Sequence, residues 1–158
     1  MGSQSVYPKG NIGSVLIKDE IIYGEEIELP KFNRGLVSTE IPAYFNEVEV
    51  NVWPSPHQEM FCDESIDEFF HTAYTLKTGD RMGYFFSGPQ LEFKEKRNIL
   101  SEATQCGTIQ VPNNGQPIVL MADAQTVGGY PTIGKVSDDD LWKIAQLRSG
   151  GKVRFQRK

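Results

Sequence analysis

Polar and apolar residues alternate strictly over Glu47-Val48-Glu49-Val50-Asn51-Val52-Trp53, the pattern of a strand with one buried face, and Pro54-Ser55-Pro56 ends it. Two further β-favouring runs, Thr108 to Val111 and Ile118 to Met121, flank Pro112-Asn113-Asn114-Gly115-Gln116-Pro117. Asn-Gly supplies the positive φ that a tight connection needs, so the two runs are predicted to pair as an antiparallel hairpin. The second run is apolar on both faces, as expected of a strand in a closed barrel. Arg81 to Ser87, Gln90 to Phe93 and Lys152 to Phe155 complete the strand expectations. Nearer the start, Val15-Leu16-Ile17, Ile21-Ile22-Tyr23 and Ile27-Glu28-Leu29, punctuated by Gly24, predict a β segment over residues 4 to 30. Residues 30–42 mix Pro, Gly, Asn and Ser and read as a linker.

Two helices interrupt this pattern. Ser65, with Glu68 three residues on, reads as a capping box leading into Phe69-Phe70, and the helix is predicted to end near Thr72 to Tyr74. Ser137 reads as the cap of a second helix with Asp138-Asp139-Asp140 in its first turn. Its apolar stripe is Leu141, Ile144, Ala145 and Leu147, Arg148 lies near its end, and Gly150-Gly151 stops it. Many short strands with two brief helices indicate a mainly β fold, a barrel. The expected organisation is an N-terminal β segment over 1–30, its opening Met1-Gly2-Ser3 set aside as an added start, and one barrel domain over 31–158.

Composition narrows the function classes. A length of 158 residues suits one good core, and a formal net charge of -5 argues against nucleic acid as a partner. No apolar run approaches membrane-spanning length and no secretory leader is visible, so a cytoplasmic protein is expected. Cys62 and Cys106 lack metal spacing and read as free thiols, although the sequence leaves a disulfide between them open; Cys106 is expected buried and inert. The acidic run 138–140 is assigned to helix-dipole compensation, and neither His57 nor His71 has ligand-spaced company, so no metal site is expected. His71 is read as a surface or half-buried residue; His57, just past a strand end, could reach a pocket, with a plain loop position the stronger reading.

The chemistry concentrates in Gly107 to Pro131, where a lone carboxylate, Asp123, ends an apolar run and a polar loop with two adjacent glycines follows. Gly128-Gly129 can turn two amides towards one point as an anion nest. Gln125 and Thr126 supply polar tips, Tyr130 can stack on a ligand or donate its hydroxyl, and Gln110 can present an amide to a barrel interior. Upstream, Gly79-Asp80 reads as a turn from which Arg81 opens a strand. Its planar fork suits a carboxylate, a phosphate or a ureido oxygen, and a structural ion pair, with Glu102 for instance, is the competing reading.

IQVPNNGQPIVLMADAQTVGGYPTIG (109–134) resembles the signature of the second allophanate-hydrolase-type subunit family. That family includes the C subunit of prokaryotic 5-oxoprolinase, carboxyltransferase domains of urea carboxylase, and the antagonist of a sporulation-kinase inhibitor. Asp80-Arg81-Met82-Gly83-Tyr84, Ile99-Leu100-Ser101-Glu102, Ala145-Gln146-Leu147 and Val153-Arg154-Phe155 agree in order, so the resemblance covers about residues 30 to 158. The family's loop reads closer to D-R-Q-T-T-G-G-Y-P, and this chain departs at Ala124 and Val127.

The resemblance implies a cyclophilin-like barrel that corresponds to the C-terminal half of members about twice this length. It also implies a partner, of the 5-oxoprolinase B-subunit or allophanate-hydrolase subunit 1 type, and ATP-dependent opening of 5-oxoproline to glutamate. This half is expected to bind no cofactor and to be inactive alone, with ATP consumed by the complex. Arg81, Asp123 and Tyr130 are then the catalytic candidates, and Asp80, Gln110, Gln125, Thr126, Gly128 and Gly129 the substrate-binding ones. One alternative is carboxyl transfer to urea or a related amide. The chain has no biotin-attachment Met-Lys motif, so biotin would then arrive on another domain. The other alternative is a non-enzymatic regulator that antagonises a histidine-kinase inhibitor, which the losses at Ala124 and Val127 favour.

Overall fold

The computed structural model describes residues 16–26, 35, 37–41, 43–95 and 99–158. The chain divides into two compact units, residues 1–40 and 41–158. In the first, residues 16–26 form no strand: Lys18–Asp19 make a turn, Asp19 has φ 68°, and Leu16, Ile17, Ile21 and Ile22 are exposed. The expected β segment is therefore corrected over these residues. A strand needs a partner ladder, and the backbone bond seen here is local, Glu20 N–H to the Ile17 carbonyl. Ile27-Glu28-Leu29 and most of the linker lie outside the described residues; within the linker, Ser38–Glu40 form a 3-10 turn.

The second unit is mainly β, a closed barrel with two short helices. Its strands are β1 (Glu47–Pro54), β2 (Ala73–Gly79), β3 (Gly83–Ser87), β5 (Thr108–Gln110), β6 (Ile118–Leu120), β8 (Thr132–Val136) and β9 (Lys152–Arg157), in the closed order β1-β8-β5-β6-β3-β2-β9. A two-stranded ribbon, β4 (Glu102–Ala103) with β7 (Val127–Gly128), stands apart from it. The parallel pairing of β1 with β9, Val50 opposite Phe155, closes the barrel. Val48, Val50 and Val52 point inward as their alternation predicts. The hairpin forms as expected, with Gly115 at φ 71° and Ile109 opposite Val119.

Three expectations are corrected. Gln90–Phe93 is no strand; it contributes an isolated bridge, Phe93 to Phe61. The first helix, α1 (Asp63–His71), begins at an N-cap Cys62 that makes no side-chain cap bond. Ser65 lies inside the first turn, and its hydroxyl accepts from the Glu92 N–H (3.1 Å), so tertiary contact and not a capping box uses it. Cys106 is exposed, because it sits in the turn that leads through Gly107 (φ 87°) into β5.

The second helix, α2, is only Leu141–Ala145. The expected Ser137 cap is corrected: the N-cap is Asp140, the helix ends well before Gly150-Gly151, and the Ser137 carbonyl accepts from the Asp140 N–H (2.9 Å) and the Leu141 N–H (3.1 Å) in the turn that leads into it. The three aspartates were expected in the first turn of this helix, but they precede it, in the turn 138–140, and Asp140 has a tertiary role. That carboxylate is buried (7 % exposed), accepts from both the backbone N–H and the carboxamide of Asn51 on β1 (2.8 Å each), and pairs with Lys143 (2.6 Å). It ties α2 to β1. Burial works to raise the Asp140 pKa, and Lys143 together with the two Asn51 donors outweighs it, so the group titrates below the ordinary carboxylate range. A depressed folded value stabilises above the unfolded pKa of about 3.9, and that stability is lost as pH falls through the folded value. Asp140→Ala, which orphans the Asn51 donors, is expected to cost about 2–3 kcal/mol at pH 7. Urea titrations should show this gap between the two proteins shrinking as pH falls below about 4.

Candidate functional site

The turn between β2 and β3 is built by Asp80, whose Oδ1 accepts from the N–H groups of Met82 (2.8 Å) and Gly83 (3.3 Å). Arg81 therefore stands on the turn and not in the strand. Asp123, in the loop beyond β6, meets it twice. Its backbone N–H donates to the Arg81 carbonyl (2.7 Å), and its carboxylate takes a two-point grip from Arg81 Nε (2.5 Å) and Nη2 (2.9 Å). The carboxylate partner of Arg81 is thus Asp123 and not Glu102. The hydrogen bond from Arg81 holds the Asp123 carboxyl below its usual range. The reciprocal bond raises the Arg81 pKa. Both side chains are open to solvent, 77 % and 51 % exposed, and such pairs add little to stability. Arg81→Ala should consequently leave the thermal midpoint unchanged by calorimetry.

A second group lies under the ribbon. Gln110 pairs with Ile118 on β6, and Ile118 and Leu120 share a strand face opposite that of Val119. Val119 and Ile109 belong to the barrel core, while Leu120 is buried outside that cluster. Gln110 therefore points away from the barrel interior, correcting the interior placement, and is buried (2 % exposed) because the ribbon covers it. Its Oε1 accepts from Gln125 Nε2 (3.0 Å), while its own Nε2 has no partner among the described residues. Gly128 sits directly over that nitrogen, and a Cβ on Gly128 would overlap it. No anion nest forms at Gly128-Gly129, since Gly128 is extended in β7, paired with Glu102, and neither glycine has a positive φ. The glycine at 128 is required for close packing and not for turning amides. Thr126 offers its carbonyl to Thr104 N–H (2.9 Å), Gly129 faces Ser101, and Tyr130 is partly exposed beyond the ribbon.

His57, for which the sequence favoured a plain loop position over a pocket, joins this second group through Thr132. Ser55 caps a 3-10 turn, Pro56–Met60, by accepting from the His57 N–H (3.1 Å). Ser55 Oγ stands 2.6 Å from Thr132 Oγ1, which is 3.1 Å from His57 Nδ1. The Thr132 backbone N–H also donates to Nδ1 (3.3 Å), so that nitrogen is an acceptor and the neutral ring carries its proton on Nε2. Glu102 on β4 approaches Nδ1 to 3.6 Å. Thr132 is 75 residues away from His57 in sequence, and no local pattern announces the pairing. The Ser-Pro start of the 3-10 turn was the one legible sign that His57 is held in place.

The structure thus brings Arg81, Asp80 and Asp123 together in the open, and sets Gln110, beneath Gly128 and Glu102 of the ribbon and bonded to Gln125, beside Thr132, Ser55 and His57. Comparison with known proteins places the chain in a family. Residues 1–157 match the family model described as carboxyltransferase domain, subdomain A and B. The C subunit of 5-oxoprolinase from Haemophilus influenzae is 45 % identical over 108 residues, covering 68 % of this chain and 35 % of that protein. The C subunit of 5-oxoprolinase from Escherichia coli is 34 % identical over 160 residues, covering 98 % of this chain and 50 % of that protein. Among solved structures, the crystal structure of TTHA0988 superposes with a TM-score of 0.70 at 28 % identity, covering 98 % of this chain and 30 % of that one. The chain spans at most about half the length of these relatives. On the match over its whole length but one residue, the chain belongs to the carboxyltransferase-domain (subdomain A and B) family.

Proposed function

We propose that the chain is the barrel-bearing part of a protein of the 5-oxoprolinase C-subunit type. With a partner of the 5-oxoprolinase B-subunit or allophanate-hydrolase subunit 1 type, it serves a cytoplasmic complex that opens 5-oxoproline, consuming ATP and water and giving glutamate, ADP and phosphate. The observation that carries this reading is the similarity, along nearly the whole chain, to a protein named as the C subunit of 5-oxoprolinase. The geometry supports it at one point. Arg81 already holds a carboxylate in a two-point grip, that of Asp123, in an exposed position that a small acid can reach. In this reading the substrate carboxylate takes the place of Asp123 on the guanidinium, and the released Asp123 regains ordinary basicity and accepts a proton from the attacking water. Asp80 shapes the turn that aims Arg81, Gln125, Thr126 and Gln110 orient the lactam, the backbone at Gly128 and Gly129 lies against it, and Tyr130 closes over it.

The test is ATP hydrolysis by the full-length protein assembled with its partners, with and without 5-oxoproline. Arg81→Ala and Asp123→Asn are each expected to lower kcat/KM for stimulated hydrolysis by about 100-fold or more, with assembly intact. Full activity of either variant would remove that residue from the chemistry. The family description favours a second reading, carboxyl transfer from biotin carried on another domain to urea or a related amide. An assembled complex with no 5-oxoproline stimulation but with carboxyl transfer from offered carboxybiotin would establish it. An assembled complex inert to both would move the weight to the regulator that antagonises a histidine-kinase inhibitor.

A further inference from the structure

We propose that the space beneath the β4–β7 ribbon is a binding recess for one planar carbonyl or carboxylate oxygen of a small ligand. The Gln110 carboxamide is the donor, and His57 with Thr132 forms the adjoining wall. The proposal stands on an unsatisfied donor, which a folded protein rarely keeps without a use. Gln110 is 2 % exposed, its Oε1 is anchored by Gln125, and its Nε2, without an acceptor among the described residues, lies against the backbone of Gly128. Any side chain at 128 would fill the space in front of that nitrogen. Glycine lets the ribbon lie directly on that nitrogen, and an acceptor reaches it once the ribbon lifts.

The neighbouring groups suit an oxygen ligand. Gln110 and Thr132 are register partners on β5 and β8, so His57, held on Thr132, stands beside the carboxamide. Glu102 reaches His57 from β4 and pairs through its backbone with Gly128, so one ribbon covers both donor and imidazole. That ribbon is a cover that can lift. Its ladder is two residues long on each strand, extended by the Thr104 N–H to the Thr126 carbonyl (2.9 Å) and the Thr104 hydroxyl to the Gln125 carbonyl (2.5 Å). Opening it exposes Nε2 at the cost of few backbone bonds, as ligand-gating segments do. The choice of a lactam as one probe rests on the 5-oxoprolinase reading; the recess itself does not.

The experiment titrates the isotope-labelled 158-residue chain, alone and without ATP, with acetate, 2-pyrrolidinone and 5-oxoproline, following the Gln110 side-chain amide and His57 ring resonances. Saturable shifts of the Gln110 amide are expected with at least one probe. Acetate alone would assign the recess to a carboxylate, 2-pyrrolidinone alone to a lactam carbonyl. Gln110→Met, which removes the orphaned donor while keeping volume, should weaken that binding about tenfold or more and leave the thermal midpoint unchanged or raised. Gly128→Ala, whose added Cβ overlaps Nε2 and stands in the way of an acceptor, should weaken it too, and serves if the Gln110 variant does not fold. Binding that leaves the Gln110 amide unmoved, equal affinity in the folded variant, or no binding of any probe would overturn the proposal. Because this readout needs neither ATP nor a partner, its failure leaves 5-oxoproline-stimulated hydrolysis free to stand. Acetate or pyrrolidinone binding likewise stands if that hydrolysis fails.

Discussion

Truncating Phe155 to alanine lowers the unfolding free energy by about 3–5 kcal/mol, the largest single loss expected in this chain. Phe155 is fully buried on β9, the strand that closes the barrel, and it is where the aromatic side chains converge. Phe69 of α1 stacks on it with centroids 4.6 Å apart at 12°, Tyr74 of β2 lies at 5.9 Å, and Phe86 of β3 meets it edge-on at 6.1 Å. Helix and three strands therefore share one ring. An alanine there leaves a cavity lined by rigid aromatics that cannot collapse into it, so both the transfer and the cavity contributions are lost in full. Denaturant titration is the measurement, with the midpoint expected to fall and the slope to stay constant. A loss near ~1 kcal/mol, the low end for a core change, would show that α1 can move in to fill the space.

Replacing Gly134 by valine is expected to cost about 3 kcal/mol by the opposite mechanism, overpacking. Gly134 lies on β8 between β1 and β5, opposite Pro54 and Ile109. A Cβ at this position would overlap Val52 Cγ1 and come 2.7 Å from the Trp53 carbonyl oxygen. The first neighbour is a core side chain and the second is strand backbone, so neither yields cheaply. The thermal midpoint should drop by about 10 °C relative to the parent. An unchanged midpoint would mean that β1 and β8 separate more easily than their register suggests. The same substitution at Gly150, where nothing lies within 4 Å but φ is 84°, tests backbone strain without crowding.

Strands with strong local signals were legible in sequence. β1 announces itself by alternation, and the β5–β6 hairpin by Asn-Gly and two apolar runs. β2 and β8 were not legible, although both are barrel members. Ala73–Gly79 follows directly on α1, and Thr132–Val136 is short and carries Gly134, so neither shows a clean period of two. Each is a strand because of the neighbours it meets. The candidate site divides in the same way. Asp80, Arg81, Asp123, Gln110, Gln125 and Gly128 were recognisable as a polar set in an otherwise apolar context. His57, Ser55, Thr132 and Glu102 were not, because contacts spanning 75 residues leave no trace in a local window. Nor could any sequence pattern reveal that Arg81 and Asp123 grip each other, or that Gln110 faces the ribbon and not the core.

Read alone, the chain's residues were enough for the mainly β character, the hairpin, the two helices and, through the stretch around Asp123 and Gly128, the family. Those features rest on local backbone preference and on which side chains stand next to one another in the chain. The strand order that closes the barrel, the burial of Asp140 and the orphaned Gln110 amide came only with the folded arrangement. Each of these depends on which distant strand arrives alongside, and that is set by the packing of the whole core.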